Sequence, residues 1–457
     1  NVIPVDAKKG KFIFMADRWK ASDLKDSRYI WLPIEFGQGD EMSLQWYDEW
    51  KLDALDRMGK VTINTELPEK VSVGQVPTLP NRINVTNSEG EKLDTAVTWA
   101  TNPADFSKPG TVVVEGTLSE LANKVIRIKI LVIPDHVRYF VHAGGVKTSD
   151  YVTWSSYMEN TLLNKDVIDQ KYDPANGRSW GYVGDQTRSA GGEGDDLFSS
   201  LRYLLANSGD NLSYKFDLKN GKYTVYTGLY DRWYSSTKGS RKADILINGE
   251  TKTKGYVFTS AYDVLSYQHV NVTDGKLDVT VRRVPGSPDP QISWIMIVEE
   301  DTTAPFITVK GNEGTYSVDG NISISCSASD DLSGIASVDC PAIEGPAYEY
   351  NVGVNKFTAK ATDHAGNTSE SEIQFTVTVD FDSLSRLTES FITDEGIAHS
   401  LTAKLASAKE AFAGGNKEAV AGKLKAFVNE LSAQSGKSIM EKQANLLISL
   451  SSNLLLK

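Results

Sequence analysis

The sequence predicts a mainly β, multidomain chain that closes on a helical bundle, and three observations predict it. Short alternating apolar and polar runs recur from the first residues to about residue 379, separated by turns rich in Gly, Pro, Asn and Asp. At 457 residues the chain is several times the length of one ordinary domain. Beyond residue 380 the apolar spacing changes from two to roughly 3.6, the repeat of an amphipathic helix.

Composition narrows the function classes. Hydrophobic content of 40% and charged content of 24% exclude a mainly disordered chain. No apolar run reaches the roughly 18–20 residues that span a bilayer, so no membrane insertion is expected. A formal net charge of −12, without a basic cluster, argues against a nucleic-acid partner. The 36 Gly and 19 Tyr are common in β-sandwiches and in sugar-binding surfaces. Five scattered His and no CxxC pattern argue against zinc. Cys326 and Cys340 are the two cysteines. A disulfide closing a loop of about 15 residues would stabilise by about 3 kcal/mol, and two buried thiols fit equally well.

The opening segment, residues 1–58, holds strand-like runs at residues 11–15, 29–36 and 42–46, with polar turns at 22–27 and at Gly37-Gln38-Gly39-Asp40. Trp19, Trp31, Trp46 and Trp50 fall in this piece. So small a segment buries too little surface to stand alone with such large apolar groups, and one blade of a β-propeller fits, because a blade needs neighbours. The chain opens without Met, inside strand-like sequence. The expectation is a C-terminal region of a longer protein, with any export signal upstream.

Phe14-Met15-Ala16-Asp17-Arg18-Trp19, Asp26-Ser27-Arg28-Tyr29-Ile30-Trp31-Leu32-Pro33-Ile34 and Trp46-Tyr47-Asp48-Glu49-Trp50 resemble the closing blade of glycoside hydrolase family 43, in its exo-β-1,3-galactanase branch. The resemblance implies a five-bladed propeller whose three catalytic carboxylates lie in earlier blades. No catalytic residue is therefore assigned here. Asp17, Asp23 and Asp26 read as turn formers or partners of Arg18 and Arg28.

Residues 59–134 supply short strands such as Gly110–Gly116 and Val125–Val132, punctuated by Pro77, Pro80, Pro103 and Pro109, around a single Trp99. Such spacing predicts an Ig-like sandwich with Trp99 in its core. The order Val97-Thr98-Trp99, Phe106-Ser107-Lys108-Pro109-Gly110 resembles bacterial Ig-like modules that space out surface enzymes.

Residues 135–300 read as a jelly-roll sandwich, with turn signals at Asn220-Gly221, Asn248-Gly249 and Asp274-Gly275. Its anchors His142-Ala143-Gly144-Gly145, Trp180-Gly181-Tyr182, Arg202-Tyr203 and Pro288-Asp289-Pro290 resemble malectin-like and galactose-binding-like carbohydrate modules. That resemblance implies sugar contacts from Trp180 or Tyr182, from Trp233 and Tyr234, and from Asp289. The chemistry agrees: flat rings cover the C–H face of a pyranose, and a carboxylate accepts from two hydroxyls. Tyr203 and Trp294 alternate within strands and read as core. Glu159, Glu193, Asp195 and Asp196 read as solvated turn residues.

Residues 301–379 form a second predicted Ig-like sandwich. Asp301-Thr302-Thr303-Ala304-Pro305, Asp330-Asp331-Leu332-Ser333-Gly334 and Asp363-His364-Ala365-Gly366-Asn367 resemble Ig-like repeats of secreted bacterial proteins. Asp330, Asp331 and Asp363 are candidate calcium ligands, although turn formation explains them as well. Residues 380–457 carry apolar faces at Leu401, Leu405, Ala408 and Phe412 and at Val420, Leu424, Phe427 and Leu431, with Asn416 and Ser438 as candidate N-caps. They resemble the FIMAH-type helical tail of secreted bacterial enzymes.

The expectation is therefore a secreted, extracellular or cell-surface region that binds polysaccharide and spaces or anchors a propeller encoded upstream. Galactan is implied by the blade resemblance, with arabinan and xylan close behind. The alternative is a cell-surface lectin or adhesin built of the same sandwich modules.

Overall fold

A computed structural model describes residues 1–36, 42–87, 89–121, 123–192 and 194–455. The turn expected at Gly37–Asp40 and the acidic Glu193 lie outside the described residues. The chain is mainly β with helices at its C-terminal end, and forms two compact units, Asn1–Glu300 and Asp301–Lys457. No helix among the described residues is long and apolar enough to cross a membrane.

The first unit begins with an antiparallel meander of β1 (Val2–Asp6), β2 (Lys11–Arg18), β3 (Arg28–Phe36) and β4 (Met42–Leu44), in that spatial order. The small core beneath it holds Ile13, Leu55 and Met58, with Met15, Tyr47 and Trp50 against them. Much apolar surface stays outside: Trp19 is 74% exposed, Tyr29 78%, Trp31 52% and Trp46 54%. Asp26 bridges Arg28 at 2.9 Å and Lys20 at 2.7 Å, the partner role expected of it.

Next come β5 (Val61–Ile63), β6 (Lys70–Val71), β7 (Arg82–Asn87), β8 (Lys92–Ala100), β9 (Gly110–Leu118) and β10 (Lys124–Val132), ordered β5-β7-β8-β9-β10-β6. Ile126, Ile128, Ile130 and Val132 alternate inward along β10 because the strand period is two. Trp99 packs against both apolar clusters, and its Nε1 donates to the Pro80 carbonyl at 2.8 Å. Gly116 lies opposite it, and a Cβ there would sit 2.6 Å from the indole. Only a glycine lets that ring lie flat across β9.

The next sandwich contains β11 (Val137–His142), β12 (Trp180–Tyr182), β13 (Thr187–Gly191), β14 (Ser200–Leu204), β15 (Asn211–Asp217), β16 (Gly221–Leu229), β17 (Lys242–Ile247), β18 (Glu250–Val257), β19 (Asp263–Val272), β20 (Lys276–Arg283), β21 (Gln291–Ile292) and β22 (Trp294–Glu300). Its sheets run β11-β22-β16-β19 and β12-β15-β20-β17-β18, with a short third sheet β13-β14-β21. Ile295, Ile297, Tyr223 and Val225 face the five-stranded sheet. Trp294, Met296 and Tyr226 face the other way, onto Tyr151 and Trp154 of helix α1 (Ser149–Met158). The four-stranded sheet is thus covered on both faces, which is why residues 294–298 are uninterruptedly apolar. Thr148 caps α1 by accepting from the Tyr151 amide at 3.2 Å.

The second unit pairs β23 (Phe306–Lys310), β25 (Asn321–Ser329) and β27 (Ile343–Pro346) in one sheet. The other sheet holds β24 (Thr315–Ser317), β26 (Ile335–Asp339), β28 (Gly353–Asp363) and β29 (Thr368–Thr378). Cys326 on β25 and Cys340 just after β26 form a disulfide that ties the two sheets, with Cα atoms 5.9 Å apart. Beyond a one-turn helix α2 (Tyr234–Thr237) in the first unit, the remaining helices are α3 (Phe381–Phe391), α4 (Glu395–Ala413), α5 (Lys417–Gln434) and α6 (Glu441–Ser452). Asn416 caps α5, accepting from the Ala419 amide at 2.9 Å. Ser438 is not a cap: α6 starts three residues later, and its hydroxyl bonds Gln434 instead. One apolar core runs from Ile322, Phe375 and Val377 of the sandwich to Leu405, Phe427 and Leu447 of the helices.

Candidate functional site

The candidate site gathers at the loops around the β13-β14-β21 sheet. Arg202 and Tyr203 are consecutive on β14, so pleating sends them to opposite faces. Inward, Arg202 donates to Asp169 Oδ2 from Nε at 2.9 Å and Nη2 at 2.7 Å. Asp169 also accepts from the Gly144 amide at 2.8 Å and the Tyr214 hydroxyl at 3.2 Å. Burial pushes the Asp169 carboxyl up, with Arg202 and the Gly144 amide pulling the other way. Its oxygens are committed to holding β14 and the Gly144 turn in place.

The guanidinium of Arg202 lies 3.6 Å from the centroid of Tyr182, covering one face of that ring. Trp180, two residues earlier, is 4% exposed and packs 6.0 Å from Tyr139 in the inter-sheet core. This corrects the expectation that Trp180 contacts a ligand. β12 pairs with β15 across Trp180↔Phe216, and that register turns the indole inward. Of the two aromatics left open by the sequence, Tyr182 is the half-buried one.

On the outer face, Tyr203 meets Trp233 edge to face at 5.3 Å. Both are half-buried, so Tyr203 is not the core residue its alternation suggested. Trp233 is held from behind. Asp231 accepts from the Trp233 amide at 3.0 Å and from Arg241 Nε at 3.1 Å, in a pair whose side chains are 0% and 5% exposed. The Arg241 guanidinium then lies 5.5 Å from the Trp233 ring centroid, and its Nη1 donates to the Asp289 carbonyl. Arg241 therefore connects Trp233 to Asp289, two of the residues singled out from sequence. The Asp289 carboxylate is 27% exposed, with Oδ1 3.0 Å from Arg283 Nη2. Tyr234, half-buried, opens α2 beside Trp233.

Sequence reasoning named Arg202-Tyr203 only as a family anchor, with Tyr203 read as core, and missed Arg241. It also missed a second aromatic group, in which Phe198 and Tyr262 stack at 4.3 Å and Tyr230 stands edge-on to both. These rings come from three separate loops, so no local spacing announces them. Asp196, read as a solvated turn residue, accepts from the Tyr262 hydroxyl at 3.0 Å. Glu159 pairs with Lys165 at 3.2 Å.

In the second unit, the carboxylate atoms of Asp301, Asp330 and Asp363 lie within 4.8 Å of one another. Asp331 is exposed and outside the group, so Asp301 replaces it among the calcium candidates. An all-carboxylate set suits a hard cation. The oxygens also serve turns: Asp330 Oδ2 accepts from the Gly334 amide at 2.9 Å, and Asp363 Oδ1 from the Asn367 amide at 2.8 Å. Burial raises the Asp301 carboxyl, but hydrogen bonds from Ser333 and Thr303 outweigh it and leave the group below its ordinary value.

Residues 60–121 match the family profile of the bacterial Ig-like domain, group 4. No curated protein matches the chain. Among solved structures, the β-glucuronidase of Bacteroides uniformis is 15% identical, with a TM-score of 0.25, covering 55% of this chain and 32% of its own. A plant receptor-like kinase, FER, is 14% identical with a TM-score of 0.27, covering 49% and 65%. A Clostridium perfringens protein, ZmpB, containing an M60 catalytic domain with two CBM51 domains, is 15% identical with a TM-score of 0.21, covering 65% and 33%. The chain spans 40% of a Bacillus subtilis protein that it also resembles. Likenesses of this strength carry no argument about fold or function.

Proposed function

We propose that this chain is the non-catalytic region of a secreted polysaccharide-degrading enzyme, and that residues 135–300 bind carbohydrate while the Ig-like and helical segments space or anchor a propeller. The observation that carries the reading is the Tyr203–Trp233 pair. The two half-buried rings meet edge to face, the Asp231–Arg241 pair holds Trp233, and Arg241 also donates to the backbone carbonyl of Asp289, whose carboxylate is partly exposed. An apolar platform beside a hydrogen-bond acceptor is the chemistry a pyranose needs. A glycan array probed with the chain, followed by affinities for its best galactan-type hit, tests it. Trp233→Ala should weaken binding about tenfold or more and Asp289→Ala by a smaller factor. Unchanged affinity in both variants would overturn the assignment.

Two further observations support the broader reading. The β1–β4 meander leaves Trp19, Tyr29, Trp31 and Trp46 exposed, as a propeller blade without its neighbour would. This favours the enzyme over a free-standing lectin or adhesin. The Cys326–Cys340 disulfide favours an oxidising, extracellular compartment. Cleavage of aryl galactosides or galactan by this chain alone would contradict the non-catalytic assignment.

A further inference from the structure

Tyr262 is unusual among the exposed aromatics because it is exposed and yet fixed. It is 55% accessible, in the loop between β18 and β19. One face lies on Phe198, with ring planes 7° apart and centroids separated by 4.3 Å. Phe198 is itself only 9% exposed and rests edge-on against the core residue Trp294 at 6.1 Å. The edge of Tyr262 is closed by Tyr230 at 5.3 Å. Its hydroxyl donates to Asp196 Oδ2, while Asp196 Oδ1 accepts from the Phe198 amide at 2.8 Å and from the Ser199 hydroxyl at 3.0 Å. Stacking, edge contact and hydrogen bond together set the ring orientation and leave the opposite face open to solvent. A ring held in this way loses no rotamer freedom when something stacks on it.

This group is continuous with the site already described. Tyr230 and Trp233 share one loop, three residues apart, so their Cα atoms are at most about 11 Å from each other. Arg232, between them, reaches the Ser199 carbonyl at 3.4 Å. Phe198 lies two residues before β14, the strand that carries Tyr203. The two loops are also joined directly, the Asp231 amide donating to the Thr259 carbonyl at 2.7 Å, so the half-buried Trp233, linked through Arg241 to Asp289, and Tyr262, hydrogen-bonded to Asp196, stand on neighbouring loops.

We infer that Tyr262 is a second sugar-stacking platform, and that the ligand is an oligosaccharide chain running across Trp233 and Tyr262 rather than a single terminal sugar. The inference rests on the carbohydrate-binding reading and adds the ligand's length to it.

The test is calorimetric titration of the full chain with β-1,3-linked galactose disaccharide, tetrasaccharide and hexasaccharide. The unmodified chain should bind the longer probes about tenfold more tightly than the disaccharide. Tyr262→Ala should abolish that gain and leave disaccharide affinity unchanged. Tyr262→Leu keeps an apolar cover over Phe198 without a flat face, and should behave like the alanine variant. Trp233→Ala should weaken all three probes. If Tyr262→Ala and Tyr262→Leu retain the full length dependence while Trp233→Ala loses binding, the second platform is wrong and the carbohydrate site stands. If the unmodified chain binds none of the probes, this inference and the galactan reading beneath it fall together.

Discussion

The guanidinium of Arg202 rests 3.6 Å from the ring centroid of Tyr182, while the next residue, Tyr203, turns the other way to meet Trp233. One residue of strand alternation thus separates an arginine that props the fold from a half-buried tyrosine of the proposed sugar site. The Arg202 guanidinium covers Tyr182 at 3.6 Å, far closer than the 5.5 Å at which Arg241 stands from the Trp233 centroid, so Tyr182 offers a pyranose less. Tyr182→Ala should therefore act on stability. Loss of a partly buried cation–π contact and its apolar area should cost about 1–3 kcal/mol in urea unfolding. Trp233→Ala should instead act on glycan affinity. The reverse pattern would place the sugar on Tyr182.

The Asp231–Arg241 pair holds both Trp233 and the Asp289 carbonyl. Its side chains are nearly inaccessible, so removing one partner strands a buried charge. Asp231→Ala should destabilise by about 3–5 kcal/mol, read from urea unfolding. Trp233 fluorescence should become more mobile in the same variant, because the Asp231 carboxylate no longer accepts from the Trp233 amide. A loss under 1 kcal/mol with unchanged anisotropy would mean that the pair is dispensable.

How far the sequence could be read varied with how locally each feature is encoded. Alternation along β10 and the helical spacing of Leu401, Leu405, Val420 and Leu424 mark faces that are buried as expected. A turn residue such as Asn416 caps the helix that begins directly after it. Trp180 and Tyr203 were misread for one reason. Both lie in short strands, three and five residues long, where period two gives two alternating faces but not which one points inward. Register across Trp180↔Phe216 and Tyr203↔Gln291 decides it, and register is a long-range property. The carboxylate cluster shows the same limit. Asp331 adjoins Asp330 in sequence, yet Asp301 is brought to Asp330 and Asp363 by the fold. The Phe198–Tyr230–Tyr262 group needs three loops at once, so nothing local signals it.

Lys124 gives a pH signature. It is 3% exposed at the start of β10, where its ammonium donates to the Phe36 carbonyl at 3.1 Å. Burial lowers its pKa to about 8, with Glu35 raising it and Arg127 lowering it further. Unfolded, the amine keeps its proton to about pH 10.4. Between these values the unfolded chain binds more protons, so stability rises with pH, while below pH 8 the burial cost is present in full. Lys124 should therefore contribute a rise of about 2 kcal/mol in unfolding free energy from roughly pH 8 to pH 10. Buried tyrosines such as Tyr139, pushed up to about 12, oppose it from about pH 9 upward, where unfolded phenols begin to ionise. The Lys124 contribution is read as the difference between the unmodified chain and Lys124→Met across that range. Parallel pH profiles for the two would assign the effect to another group.

The amino-terminal sheet yields a prediction about association. Tyr29 and Trp31 both stand on β3, at 78% and 52% exposure, and Trp19 and Trp46, just past the ends of β2 and β4, are exposed as well. Soluble monomers rarely leave so many large rings together in water, and such patches mark a missing partner or drive self-association. The core beneath is small, with Ile13, Leu55 and Met58 at its centre, so the sheet has little of its own to hold it. If a neighbouring blade is the natural cover, the chain alone should associate through this face, seen as a concentration-dependent rise in sedimentation coefficient. Substituting Tyr29→Glu with Trp31→Glu should suppress that rise and change unfolding stability little, because exposed positions contribute within about 0.5 kcal/mol. Extending the chain upstream through further propeller sequence should suppress it as well, by covering the same rings. A monodisperse monomer at every concentration would show that the sheet is complete as it stands, and the blade reading would lose its physical basis.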